Sequence, residues 1–286
     1  MAAGERIAAH LTGAQETLFM PVYCRAEDAK KNKPILGDKL AFELAAKVDY
    51  DLAKLGVRPN EVSHIALRAR CLDLWIVDFI NRHKGTPVTV LHLACGLDAR
   101  AHRILDATPP EASIRWVDVD LPDVVDLRQK VLPAPDAPNC EYQLVAGSAT
   151  DDACLGNMPN DRPTMVVLEG LSMYLKPEEG KAMIRSLVGR FPAGEIIFDG
   201  LGSIVLKVQG WIPFVRKTGA TFHWAIDDGD AAALAALDPR LKLKDDLIRP
   251  QMLEMAGNPE KRGTVEKVVT AIPLFRRMSR LVRLEF

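Results

Sequence analysis

Acidic residues and glycines fall where short apolar runs of this chain end. Gly96 follows the run at 88–93, and Asp118 and Asp120 close the next run, 22 and 24 residues after Gly96. A glycine lets a backbone approach a ligand closely. An acid at the end of the neighbouring strand accepts hydrogen bonds from a ribose diol. The pair predicts a nucleoside ligand, although Gly96 by itself also reads as a plain turn residue. Gly96 is the only glycine between Leu93 and Arg103, so the three-glycine cradle of a pyrophosphate is missing. That disfavours NAD and FAD. A cationic nucleoside without phosphate, S-adenosylmethionine, fits the spacing better.

These turns need a rigid frame, and the periodicity supplies one. Apolar β runs are expected at 88–93, 114–119, 142–146, 165–168 and 195–198, the last followed by Asp199. Helical patterns at 99–105, 121–132 (Pro122 in its first turn) and 178–191 alternate with them. Continuous apolar strands alternating with helices predict an α/β, doubly wound, mostly parallel sheet. Before it, the first 60 residues read as a polar loop and a short helix capped by Asp38. From Pro59, Val62, Ile65, Ala66, Ala69, Leu72, Trp75, Ile76, Phe79 and Ile80 keep one apolar face. Arg68 and Arg70 edge that stripe, where helical phase leaves open whether they snorkel or serve a site. After Gly200 the rhythm breaks into an aromatic stretch at 209–225, a short helix at 230–237, closing strands at 241–243 and 281–284, and a helix at 265–275. One domain is expected: a helical cap over 1–85, a cofactor core over 86–200, an acceptor lid over 201–238 and a closing segment over 239–286.

Composition bounds the partners. Lys and Arg total 37 against 38 Asp and Glu, a net charge of −1, which argues against bulk nucleic-acid binding. No apolar run approaches the roughly 20 residues of a bilayer span, so no membrane partner is expected. Five widely spaced cysteines suggest neither a zinc site nor a disulfide framework. With no secretory pattern at the start, the expectation is a metal-free cytoplasmic protein acting on a small molecule, of unassigned oligomeric state.

Several segments resemble one family in order along residues 16–286. They are Pro21-Val22-Tyr23-Cys24-Arg25-Ala26, Ala66-Leu67-Arg68-Ala69-Arg70, Leu93-Ala94-Cys95-Gly96-Leu97-Asp98-Ala99-Arg100 and Trp116-Val117-Asp118-Val119-Asp120-Leu121-Pro122. Glu169-Gly170-Leu171-Ser172-Met173-Tyr174-Leu175 and Phe222-His223-Trp224-Ala225-Ile226-Asp227-Asp228 complete the set. Together they look like the leucine carboxyl methyltransferase superfamily, nearest its branch of tetracenomycin-type polyketide O-methyltransferases. Ala94, Cys95 and Ala99 depart from it, standing where the family often has Gly, Ala and Thr. The resemblance implies a class I S-adenosylmethionine-dependent methyltransferase with a seven-stranded sheet, releasing S-adenosyl-L-homocysteine. It also implies cofactor contacts. Arg68, with Arg70 beside it, would take the methionyl carboxylate, and Asp120 with Leu121 the ribose side. Asp118 either shares that role or faces the sheet. Ser148 and Ala149 would meet adenine, and Glu169 and Gly170 the methionyl and sulfonium end.

Methyl transfer is an in-line displacement, so orientation can supply roughly 7–11 kcal/mol of the barrier reduction. A carboxylate acceptor arrives ionised, whereas a phenol of pKa ~10 wants a base. His223 is the candidate base and Tyr174 a candidate lining residue, each also readable as an ordinary packed side chain. His92 and His102 read as structural. Trp211, Phe214, Phe222 and Trp224 suit a flat aromatic acceptor or, equally, lid packing. The expected function is O-methylation of a small aromatic or polyketide-like carboxylate or phenol. A protein C-terminal carboxyl methyltransferase, a silent S-adenosylmethionine-binding protein and a nicotinamide oxidoreductase are the alternatives.

Overall fold

The computed structural model describes residues 6–8, 13–51, 55–257 and 278–286. The apolar runs become a seven-stranded sheet: β1 Val88–Leu93, β2 Ile114–Asp120, β3 Cys140–Ala146, β4 Thr164–Leu168, β5 Gly194–Leu201, β6 Lys242–Ile248 and β7 Ser279–Glu285. The helices are α1 Phe19–Ala29, α2 Lys39–Lys47, α3 Pro59–Arg82, α4 Arg100–Ala107, α5 Pro122–Val131 and α6 Asp152–Gly156. They continue with α7 Pro177–Arg190, α8 Ser203–Val208, α9 Pro213–Thr218, α10 Asp230–Ala235 and α11 Arg249–Met255. Ile7–Ala8 and Val48–Asp49 pair as two short parallel strands.

The sheet runs β3-β2-β1-β4-β5-β7-β6. β1 to β5 are mutually parallel, and β7 is antiparallel to both β5 and β6. Strand order reverses between β1 and β4, where a doubly wound sheet opens its ligand crevice. Every residue of β1 and β4 is buried, because helices cover both faces. Trp75, Ile76, Trp116 and Ile197 fill the face beneath α3. Val117, Leu187, Phe198 and Trp224 fill the face beneath α7.

α6, α8 and α11 were not anticipated, and three further stretches differ from the periodicity reading. α1 was expected as loop, yet it is a helix whose buried face includes Arg25 and Asp28 beside Phe19, Val22 and Cys24. Charged residues on the inner face erase an apolar stripe. β6 extends to Ile248 rather than stopping at 243, since an edge strand tolerates Lys244, Asp245 and Asp246. The aromatic stretch after 209 folds as the short turn Gln209–Trp211 and α9, after which 220–227 returns in extended form with Ile226 N–H donating to Leu201 O at 2.8 Å. The helix expected at 265–275 lies outside the described residues. No helix among the described residues is long and apolar enough to cross a membrane.

Trp224 packs against α7 at Gly180, where a Cβ would lie only 1.9 Å from the indole Cζ3. Gly189, on the exposed side of the same helix, has nothing within 4 Å of its would-be Cβ. Gly180→Ala is expected to cost about 1–3 kcal/mol in urea unfolding through overpacking. Gly189→Ala should be neutral or stabilising by up to about 1 kcal/mol. Equal effects at the two positions would contradict this packing.

Candidate active site

The carboxyl ends of β1, β2, β4 and β5 deliver the predicted turns to one edge. Asp120 ends β2, and its Oδ2 accepts from Gly96 N–H at 2.6 Å while its Oδ1 accepts from Leu121 N–H at 2.8 Å. The glycine turn of β1 is thereby clipped to the end of β2. Gly96 has φ +53°, and Ala94 has φ +52°, a left-handed conformation that disfavours any Cβ. The departure from glycine at 94 thus places alanine where the backbone asks for glycine. Arg128 of α5 braces the turn from below, donating from Nη1 to Gly96 O at 2.9 Å and to Asp98 O at 2.8 Å.

Asp118 does not share the sheet edge with Asp120. Its carboxylate is fully buried and accepts from Arg128 Nη2 at 2.6 Å, Trp116 Nε1 at 2.7 Å and the Tyr142 hydroxyl at 2.8 Å. Residues 118 and 120 share a face of the strand, so position along it separates the two acids: Asp118 lies within the sheet, and Asp120, the last residue of β2, reaches its edge. Burial pushes the Asp118 carboxyl up, but Arg128 and the neutralising donors overcome it and bring it down to about 2. Asp118 shapes the turn through Arg128. Burial raises the Asp120 carboxyl above its ordinary value, against the opposing Gly96 and Leu121 amides.

The second half of the site is a buried ring of charge around Glu169, the residue after β4. Glu169 Oε1 accepts from Arg25 Nη2 at 2.8 Å and from Arg68 Nη2 at 2.8 Å and Nε at 3.1 Å. Its Oε2 accepts from Arg100. Arg68 also donates from Nη1 to Asp199 Oδ2 at 2.7 Å, and Gly170 N–H donates to Asp199 Oδ1 at 2.7 Å. Asp98, two residues beyond Gly96, pairs with Arg25 at 2.9 Å and with Arg103 at 2.9 Å, joining both halves. Burial pushes the Glu169 carboxyl up, yet Arg100, Arg68 and Arg25 hold it well below the usual carboxylate range. Asp199 is raised, because burial outweighs its Arg68 partner.

Of the expected site residues, Gly96, Asp120, Leu121, Arg68, Glu169 and Gly170 share this edge. Gly170 has φ +72°, and a Cβ there would meet Arg68 Nη2 at 3.7 Å. Leu121 is exposed despite its apolar side chain. Ser148 follows β3, beside Asp120, whose carbonyl accepts from Gly147 N–H at 2.8 Å; Ala149 is buried in the core instead of facing the edge. Arg70 stands two residues, hence about 200° of helix, from Arg68 and makes no hydrogen bond to the described residues. His223 does not join the site. Its side chain is exposed between inward-facing Phe222 and Trp224, although its N–H donates to Met173 O at 2.8 Å. Tyr174 lies close to Arg68 and Asp199, with its hydroxyl raised by burial and bonded to Thr17, and its ring 5.4 Å from that of Phe222. Trp211 is 86% exposed and Trp224 packs under α7, so of the aromatics at 211–224 only Phe222 and Phe214 approach Tyr174. His92 bridges Asp118 and Arg100 inside the sheet, and His102 touches Pro133 O at 3.0 Å.

Sequence reading overlooked Arg25, Asp98, Arg100 and Asp199 as site residues. A signal existed for two of them: Asp98 and Arg100 stand inside the glycine-turn segment, and an arginine in a helix's first turn opposes the helix dipole unless acids hold it. Nothing in the local pattern around Arg25 announces its partner 144 residues away. A separate cavity of about 560 Å³ opens between α6 and α7, lined by Thr150, Leu155, Leu175 and Met183, apart from the charged ring.

A crevice at the switch point of a β3-β2-β1-β4-β5-β7-β6 sheet, with an acid closing β2, is the arrangement of S-adenosylmethionine-dependent methyltransferases. Among solved structures the chain is similar to a DUF574 family protein from Streptomyces avermitilis, with TM-score 0.58 and 12% identity over 94% of this chain and 96% of that one. The family model for leucine carboxyl methyltransferase matches residues 19–188. The chain is 36% identical over 287 residues to the tetracenomycin polyketide synthesis O-methyltransferase TcmP of Streptomyces glaucescens, covering 99% of this chain and 100% of that protein. It is 34% identical over 233 residues to the S-adenosyl-L-methionine-dependent methyltransferase dpfgK of Gibberella zeae, covering 76% and 77%. The chain belongs to the leucine carboxyl methyltransferase family and is an S-adenosylmethionine-dependent methyltransferase, as its motifs implied.

Two outcomes follow from the geometry. Glu169→Gln leaves three buried guanidiniums short of charge and is expected to cost about 3–5 kcal/mol in urea unfolding; a loss below about 1 kcal/mol would contradict the hub. Carboxyls held low in the folded state stabilise it fully above their unfolded values of 4.5 for Glu169 and 3.8 for Asp118. That stability should drain as pH falls from about 4.5 toward 2, partly offset by Asp199 and Asp120, whose raised values act in the opposite sense. An acid titration followed by circular dichroism reads it, and stability unchanged down to about pH 2 would contradict the ledger of charges.

Proposed function

We propose that this enzyme methylates an oxygen, carboxylate or phenolic, of a small aromatic molecule of polyketide type. The observation that carries this reading is an aromatic cluster beside the charged ring: Tyr174 lies close to Arg68 and Asp199 and packs on Phe222, which in turn meets Phe214. Similarity to TcmP over the whole chain supports an aromatic polyketide acceptor and O-methylation.

The residues present fit the cofactor. Gly170 leaves the backbone bare beneath Arg68, and Arg25 Nε is a buried donor without an acceptor among the described residues. S-adenosylmethionine supplies an electrophilic methyl group on a sulfonium. Asp120 would accept from the ribose hydroxyls with the lone pairs that Gly96 and Leu121 leave, and exposed Leu121 with Ser148 would flank adenine. Arg68 would donate its remaining N–H groups to the methionyl carboxylate, since a guanidinium offers five. Glu169 and Asp199 keep a negative field near the ammonium and sulfonium. These side chains orient and exclude water; the energetic return on orientation is roughly 7–11 kcal/mol.

Incubation with an acceptor library should yield products heavier by one methylene, read by mass spectrometry. Loss of that group in mild alkali identifies an ester, and its persistence an aryl ether. Methylation of a peptide C-terminus alone would replace the small-molecule reading, and transfer to nitrogen or carbon would contradict O-methylation. In calorimetric titration Asp120→Ala is expected to weaken S-adenosylmethionine binding about tenfold or more. Unchanged affinity would remove Asp120 from the ribose.

A further inference from the structure

α3 carries a second group on the face that presents Arg68. His64 lies one turn before it, and residues four apart on a helix share a face. Arg68 reaches Asp199 and Glu169, so His64 faces the same edge of the sheet. A different element meets it there. β6 and β5 are both antiparallel to β7, and Ile248 and Gly200 stand on either side of Arg280. β6 therefore ends at the edge where β5 presents Asp199, and Arg249 is the next residue. Its Nη1 lies 3.1 Å from His64 Nδ1.

We propose that His64 and Arg249 form the subsite for the acceptor's carboxylate, His64 donating from Nε2 to one carboxylate oxygen and Arg249 fixing the ring and supplying charge, while the other oxygen attacks. This rests on the O-methyltransferase reading above. A guanidinium only donates, so its contact with Nδ1 makes that nitrogen the acceptor and puts the ring proton on Nε2. Nε2 bonds none of the described residues and is not sealed from solvent. Burial, Arg249 and Arg68 pull His64 down to about 3, with Glu169 alone opposing. The ring is thus a neutral donor at working pH, unable to serve as the base that a phenol needs. A carboxylate needs none. One of its lone pairs forms the O–C bond to the methyl carbon while the C–S pair stays on sulfur; the carboxylate and sulfonium charges cancel and no proton moves.

The probes are 2-naphthoate and 2-naphthol, titrated by fluorescence into protein saturated with S-adenosylhomocysteine. Wild type is expected to bind 2-naphthoate about tenfold or more tightly than 2-naphthol. His64→Leu and Arg249→Met should each abolish that preference, and His64→Gln, which keeps an amide N–H donor, should retain most of it. All three variants should bind S-adenosylhomocysteine within about twofold of wild type, which also certifies their folding. No 2-naphthoate binding by wild type, equal affinity for the two probes, or a preference surviving in both His64→Leu and Arg249→Met would overturn the proposal. Failure of the O-methyltransferase reading shows separately, as nitrogen- or carbon-methylated products in the library reaction.

Discussion

A carboxylate surrounded by three guanidiniums in the interior is the constraint from which most of this site follows. Glu169 cannot be buried ionised without partners, since the desolvation penalty is several kcal/mol per ion. Its partners come from separate places in the chain: Arg25 from α1, Arg68 from α3 and Arg100 from α4. Each of those arginines meets further acids, Asp98, Asp199 and Asp73. Arg103 extends the ring to Asp38, the residue that caps α2. The ring thus locks the N-terminal helices onto the strand ends. Such a network is a poor source of net stability, but removing one member strands the others, so it fixes a single arrangement. The crevice is preorganised because of that fixity.

A second, smaller clamp works on the other side of the switch point. Asp118, Arg128, Tyr142 and Trp116 hold the turn at Gly96 from within the sheet, and Asp120 holds it from the rim. The two acids two residues apart share a face of the strand and divide the labour by position along it. One lies within the sheet and supports the turn; the other ends the strand at the open edge. The left-handed Ala94 shows how firmly the clamp holds, since the turn keeps its geometry without the glycine that would relax it.

The sheet was legible because its central strands are buried on both faces, leaving a mostly apolar run at 88–93 and an unbroken one at 165–168. β6 was legible only in part, because an edge strand carries alternating charge. α1 was illegible because its inner face spends Arg25 and Asp28 on tertiary contacts: the Asp28 carboxylate accepts from the amides of Ile35, Leu36 and Gly37. Within the site, Gly96, Asp120 and Glu169 could be read because each ends a strand. Phase placed Arg68 at the stripe's edge without saying what it meets, and only the fold separates it from Arg70. His223 drew attention as the sole histidine of the lid, yet an extended segment that buries Phe222 and Trp224 must turn 223 outward. His64, one turn from Arg68, carried no local mark of its importance.

S-adenosylmethionine is expected across the ends of β1, β2 and β4, between the clamp at Gly96 and the ring at Glu169. A crystal structure of the full chain with S-adenosylhomocysteine measures this directly. Ribose hydroxyls are expected on the Asp120 carboxylate and the amino-acid carboxylate on the Arg68 guanidinium, with the Glu169 ring intact. A nucleoside bound elsewhere, such as in the cavity between α6 and α7, with both of those side chains untouched, would contradict it.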